Sequence, residues 1–196
     1  MKVGVISVQG AVPEHLRACQ LALGDMGVKG EVLAVRHLDQ LQSVDCLIIP
    51  VGESTTISKL LRKFGLFDEI VRMGTQGVPM MGTCAGCVLL AKEGGEQAER
   101  TGTELLGLMD MSVDRNAFGR QRESFELPLE ITGLEAPFPG VFIRAPLITK
   151  AWGECRVLSV CRERAVMARQ GNLLALSFHP ELTGDTRLHR MLFDMV

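Results

Sequence analysis

Val78-Pro79-Met80-Met81-Gly82-Thr83-Cys84-Ala85-Gly86-Cys87-Val88-Leu89-Leu90-Ala91 decides the fold. Residues 78–81 make a short apolar run that reads as a buried strand, and residues 87–91 read as the body of a helix. Between them, glycines at 82 and 86 permit a tight turn that presents Cys84 at the C-terminal end of the strand. The helix that follows aims its free N–H groups and positive dipole end at the sulfur, which favours the reactive thiolate. Taken alone, the motif fits a structural cysteine in a glycine-rich turn equally well.

The same alternation extends outward. Residues 3–8 and 46–50 read as buried strands and 31–35 as a third, with a helix at 14–23 placing Leu16, Cys19, Gln20 and Leu23 on one face. After Pro50, Val51-Gly52-Glu53-Ser54-Thr55-Thr56 leads into a helix through Ile57, Leu60 and Leu61, with Ser54 or Thr55 as its expected cap. Strands alternating with helices imply a parallel sheet covered on both faces. The second half differs: short strand-like pieces at 105–113, 125–129, 141–143, 156–160, 165–169 and 173–178 precede a last helix at 185–195. The expected fold is an α/β open three-layer sandwich, mostly parallel in its central sheet with added antiparallel strands. One domain is expected over residues 1–196.

Composition narrows the function. The chain has 196 residues, 46% of them hydrophobic, and its 21 basic and 23 acidic side chains leave a net charge of −2. That balance excludes disorder and argues against a nucleic-acid groove or a polybasic membrane patch. The longest uncharged stretch, 73–91, contains Thr75, Gln76, Pro79, Thr83 and four glycines and is too polar to span a bilayer. With no secretory pattern at the start, a cytoplasmic protein is expected. The six cysteines, at 19, 46, 84, 87, 155 and 161, are then expected to be reduced, most of them as small buried residues. Cys84 and Cys87 without a second pair are weak evidence for a metal site, so no metal and no cofactor are expected.

A second feature is Ser177-Phe178-His179-Pro180-Glu181, following the apolar run 173–176. Extended backbone, enforced before Pro180, puts His179 and Glu181 on one side, where the carboxylate can fix the imidazole tautomer. A lone His-x-Glu is more simply a surface pair. It gains meaning because both it and Cys84 lie just past a buried strand, and strand C-terminal ends in an open α/β sheet share one rim. A third strand-to-helix junction, Pro50-Val51-Gly52-Glu53-Ser54, offers backbone N–H groups that could hold an oxyanion together with the N–H of Ala85. His15 and His189 fall in helical patterns and His37 in a polar loop, so all three are expected to be solvated.

These segments, with Gly4-Val5-Ile6-Ser7-Val8-Gln9-Gly10, Arg115-Asn116-Ala117-Phe118-Gly119-Arg120-Gln121 and Phe142-Ile143-Arg144-Ala145-Pro146, resemble the class I (triad) glutamine amidotransferases. More narrowly, they are similar to the glutaminase subunits of pyridoxal 5′-phosphate synthases. The resemblance implies that Cys84 is the nucleophile, His179 the general acid/base and Glu181 its orienting carboxylate. It implies oxyanion donors at Gly52 and Ala85, and L-glutamine contacts from Gly52, Glu53, Ser54, Arg115, Ile143 and Arg144, leaving Arg120 to a surface salt bridge. It further implies a (β/α)8-barrel synthase partner that receives ammonia, in a large hetero-oligomer, with weak glutaminase activity until the two dock. One residue departs from the family pattern: Val51 stands where a glycine is usual, beside a peptide that reorients on docking. Activity is expected to survive this change, with partner-dependent activation altered. The competing readings are the glutaminase of another synthase such as imidazole glycerol phosphate synthase, a non-catalytic subunit of the same fold, and a redox protein using Cys84 and Cys87.

Overall fold

A computed structural model describes residues 1–115 and 124–196 of the chain. Arg120 and the part of the family-like segment beyond Arg115 lie outside the described residues. Strands β1 (Lys2–Ile6), β2 (Glu31–Val35), β3 (Cys46–Ile49) and β4 (Met80–Thr83) alternate with helices α1 (Val12–Asp25), α2 (Leu38–Gln42), α3 (Ser54–Lys63), α4 (Phe67–Thr75) and α5 (Ala85–Leu90). The chain continues through β5 (Ala91–Glu93), α6 (Gly95–Thr101), β6 (Met109–Asp114), β7 (Phe125–Leu129), β8 (Phe138–Phe142), β9 (Leu147–Ala151), β10 (Arg156–Cys161), β11 (Arg164–Gln170) and β12 (Leu173–Leu176). A 3-10 turn (Pro180–Leu182) and α7 (Arg187–Phe193) follow.

Among the described residues, ten strands form one sheet, in the order β2-β1-β3-β4-β12-β11-β9-β6-β5 with β10 also on β11. The block from β2 to β12 is parallel throughout. Every residue of β3, β4 and β12 is buried, as expected where helices cover both faces. Side-chain alternation splits the core in two: Leu47 and Ile49 pack with Ile57, Leu61 and Ile70 on one face. Cys46 and Ile48 pack with Leu174, Leu176, Leu188 and Phe193 on the other. The remaining strands add antiparallel pairs at β11–β12, β9–β11 and β6–β9, with β5 parallel to β6 and β7–β8 a separate hairpin. No helix among the described residues is long and apolar enough to cross a membrane.

Two sequence expectations need correction. The stretch 105–113 is not one strand: Gly107 adopts φ 66°, which breaks extended backbone and delays β6 to Met109. Helix α3 is capped by neither Ser54 nor Thr55. Glu53, extended at φ −103° and ψ 111°, occupies the cap and accepts from the N–H groups of Thr55 and Thr56. A charged carboxylate at a helix N-terminus meets the free N–H groups and the dipole at once.

Candidate active site

β4 ends at Thr83 and α5 begins at Ala85, so Cys84 alone makes the turn, at φ 48° and ψ −98°. Few non-glycine residues adopt such a conformation, and its cost is met by fixing both sides of the peptide. The Cys84 N–H donates to Leu176 O at 2.8 Å, and Cys84 O accepts from Val88 N–H at 3.2 Å. The elbow is also squeezed. A Cβ on Gly86 would stand 2.1 Å from Ile49 O, and one on Gly82 would stand 2.5 Å from the Gly86 carbonyl. Both glycines are therefore needed for α5 to sit against β3. Cys84 is partly exposed, while Cys19, Cys46, Cys87, Cys155 and Cys161 are buried.

Parallel pairing of β4 with β12 sets Thr83 beside Leu176. The two strands thus deliver Cys84 and the segment beginning at Ser177 to the same rim, and the His179 N–H is tied to Val141 O at 2.9 Å. His179 Nδ1 lies 2.9 Å from Glu181 Oε1, both side chains being buried. Burial alone would push the imidazole down, but interactions with Cys84 and Glu181 outweigh it and hold His179 up at about 10. Nε2, the ring nitrogen left over for the interaction with Cys84, has no partner at full hydrogen-bond geometry. Such contacts commonly tighten when substrate arrives.

A cavity of about 520 Å³ opens over this pair, lined by Gly52, Glu53, Ser54, Ala85, Arg115, Ile143 and Arg144 together with Cys84 and His179. Every residue nominated from sequence is thus on its wall except Glu181, which stands behind His179. Arg115 Nη2 donates to Glu53 Oε1 at 2.6 Å and Nη1 to Thr55 Oγ1 at 3.3 Å. Partial burial disfavours the Glu53 charge, yet hydrogen bonds from Thr56, Arg115 and Thr55 hold its carboxyl down at about 2. Arg144 is held at φ 46°, a second strained residue on the wall. Ser54 Oγ and Gln97 Oε1 are buried without partners, so the cavity suits a ligand carrying several polar groups.

Sequence reasoning missed four participants. Gln97 lines the cavity from α6, and Gln9 lines it while its Oε1 accepts from Glu53 N–H at 2.9 Å. The other two are a correction: His15 and His189, expected to be solvated, are wholly buried. His15 is turned inward on α1, its Nε2 3.0 Å from Thr83 Oγ1, and His189 on α7 reaches its Nδ1 at 3.5 Å. Burial first, then the neighbouring His189 and His179, keep the His15 pKa well below its usual value, and burial lowers His189 to about 4. Both are therefore neutral. Amphipathic spacing would have exposed the error, because His15 falls on the same face as Ala18, Cys19 and Ala22. Cys87 is also fully buried, its thiol pushed up by burial and then by Cys84, which makes it a poor redox partner. No group of three or more His, Cys, Asp or Glu that could hold a metal ion occurs among the described residues.

A thiol on a strand-to-helix elbow, an imidazole beside it, a carboxylate behind and an open α/β sheet beneath make an arrangement suited to a class of proteins, those that perform acyl transfer through a cysteine. Within it, the chain belongs to the SNO glutamine amidotransferase family, which matches residues 5–196. It is 52% identical over 196 residues to pyridoxal 5′-phosphate synthase subunit PdxT of Methanosarcina barkeri, spanning 100% of this chain and 98% of that one. The corresponding subunit of Archaeoglobus fulgidus is 52% identical over 189 residues, spanning 96% and 95%. Among solved structures, a glutamine amidotransferase superposes at TM-score 0.87 with 44% identity, covering 98% of this chain and 97% of the other. PurLQS from Thermotoga maritima, at TM-score 0.66 and 15% identity over 98% and 97%, shares the fold.

Proposed function

We infer that this chain is the glutaminase subunit of a pyridoxal 5′-phosphate synthase, a cytoplasmic single-domain enzyme that hydrolyses L-glutamine to L-glutamate and ammonia. Cys84 attacks the side-chain amide carbon, the N–H groups of Gly52 and Ala85 hold the oxyanion, and His179 protonates the departing ammonia. Water, deprotonated by His179, then cleaves the glutamyl thioester and restores the thiol. Glu181 keeps Nδ1–H of His179 engaged so that Nε2 faces the sulfur, and it balances the imidazolium charge. Arg144 and the Arg115–Glu53 pair, with Ser54 and Ile143, receive the α-carboxylate and α-ammonium of glutamine. Ammonia released into water would be protonated and lost, so it passes to a (β/α)8-barrel synthase subunit within a large hetero-oligomer.

The observation that carries this reading is the convergence of Cys84 and His179, from neighbouring parallel strands, on one cavity with Glu181 behind the imidazole. Its support is the extent of the similarity to PdxT subunits. The experiment is glutamate release with and without the synthase subunit, comparing wild type with Cys84→Ala. Release that depends on Cys84 and rises on adding the synthase is expected. Undiminished release by Cys84→Ala would overturn the mechanism, and stimulation only by a different synthase would overturn the pathway.

A further inference from the structure

The His179–Glu181 pair leaves one carboxylate oxygen without a partner. Glu181 Oε1 is taken by His179, but Oε2 is buried and lacks any hydrogen bond, a costly arrangement for a charged group. His15 Nε2 approaches it to 3.5 Å. The same nitrogen lies 3.0 Å from Oγ1 of Thr83, the residue immediately before Cys84. A single imidazole edge therefore touches both the strand end that carries the sulfur and the carboxylate that orients the base.

The proton on His15 can be placed by elimination. His189 Nε2 faces His15 Nδ1 at 3.5 Å, and His189 Nδ1 is buried with no partner. If His15 donated from Nδ1, the His189 proton would sit on Nδ1, an orphaned buried N–H, which proteins avoid more strictly than an orphaned acceptor. If His189 donates from Nε2 instead, its Nδ1 is only an idle acceptor, and His15 must carry its proton on Nε2. That tautomer directs its donor at Thr83 Oγ1, with Glu181 Oε2 beside it at 3.5 Å, whereas the other would set a bare Nε2 lone pair against Oε2.

We propose that His15 is a positioning residue for the reaction, its Nε2–H, fixed by His189, holding Glu181 Oε2 and Thr83 Oγ1 so that the carboxylate stays aligned on His179. The proposal rests on the Cys84–His179–Glu181 reading above. The groups facing His15 are Glu181 from the 3-10 turn, Thr83 from β4 and His189 from α7, with His179 beyond. Because His15 is neutral, it supplies a dipole without a second positive charge to compete with the imidazolium of His179. As the site tightens around substrate, the 3.5 Å approach shortens into a hydrogen bond.

The test measures glutamate release, with the synthase subunit present, for wild type, Cys84→Ala, His15→Leu, His15→Gln, Glu181→Ala and the double variant His15→Leu/Glu181→Ala. A hydrogen bond to a charged group implies a kcat loss of about ten- to a hundredfold in His15→Leu, at unchanged KM for glutamine. His15→Gln, which keeps an N–H donor near the Nε2 position, recovers most of the rate. On the Glu181→Ala background, His15→Leu costs nothing further, because it acts through that carboxylate. Unchanged kcat in folded His15→Leu, or the same loss on both backgrounds, overturns the proposal. Nitrogen-15 NMR of the histidines in the unmodified chain provides a measurement independent of any variant. An Nε2–H tautomer for His15 is expected, and an Nδ1–H tautomer overturns the assignment. Activity persisting in Cys84→Ala would instead strike the triad reading.

Discussion

Replacing Gly86 by alanine tests whether the elbow is held by backbone contact. The new Cβ would lie 2.1 Å from Ile49 O and 3.0 Å from Ile49 C. Ile49 is paired opposite Gly82 in the β3–β4 register, so its carbonyl cannot swing away without disturbing the sheet. A carbon rests no closer than about 3.3 Å to a carbonyl oxygen, so α5 must retreat by about 1 Å. Cys84 caps α5 and moves with it. A displacement of that size at a reacting atom costs about a hundredfold in rate. The overpacking itself costs about 1–3 kcal/mol, several degrees in Tm for a chain this long. Glutamate release in the presence of the synthase, alkylation of Cys84 by a chloromethyl ketone analogue of glutamine, and urea unfolding together read both effects. Full activity at an unchanged unfolding midpoint would show that α5 does not set the position of the sulfur.

Other perturbations have signs that follow from the same packing. Gly24→Ala, in α1 with nothing within 4 Å of the added Cβ, should raise stability and leave glutamine hydrolysis alone, making it a control for Gly86→Ala; the gain expected is about 0.5–1 kcal/mol by urea unfolding. His179 is raised from 6.5 to about 10, so the stability its charge contributes is complete below pH 6.5 and is lost as pH climbs through 10. The margin of wild type over Glu181→Gln in unfolding midpoint should shrink across that window, and a constant margin would refute the coupling. Val51→Gly should alter stimulation by the synthase, because the Val51 carbonyl is held by the Ala11 N–H at 3.1 Å and valine restricts its own backbone more than glycine would. Identical rates for the variant, alone and with synthase, would remove any role for this residue. Cys87→Ser should retain near-normal hydrolysis despite some loss of stability, since its thiol is buried in the core; an inactive but folded variant would revive a thiol-pair chemistry.

Much of the site was legible because its chemistry sits where strands end. Cys84, His179 and the Gly52-Glu53-Ser54 turn each follow an apolar run, and the rim of a parallel sheet gathers such positions whatever their separation in the chain. Glu53 was legible as a pocket residue but not as a cap, since serine and threonine beside it are the more usual choice. Helix α4 escaped notice although Phe67, Ile70 and Met73 keep helical spacing; a glycine at 74 and the turn at 77 obscured it. Strand β9 escaped because it is half exposed at Thr149 and Lys150 and borrows its order from β6 and β11. His15 and His189 were misplaced for a different reason. The helical spacing of His15 with Ala18, Cys19 and Ala22 marks an inward face, but what that face meets, α7 beneath the 3-10 turn, is a packing of elements far apart in sequence.

The position of β12 between β4 and β11 has a consequence for how the protein comes into being. A ribosome releases the strand that leads to the thiol long before the strand that leads to the imidazole, and the slot between β4 and β11 stays vacant meanwhile. On the proposed mechanism, nascent chains that lack this strand are expected to be inert toward glutamine. Activity is then expected to begin with the insertion of a single late strand into the middle of the sheet, which makes that insertion, rather than early collapse of the first four strands, the event to follow in refolding experiments.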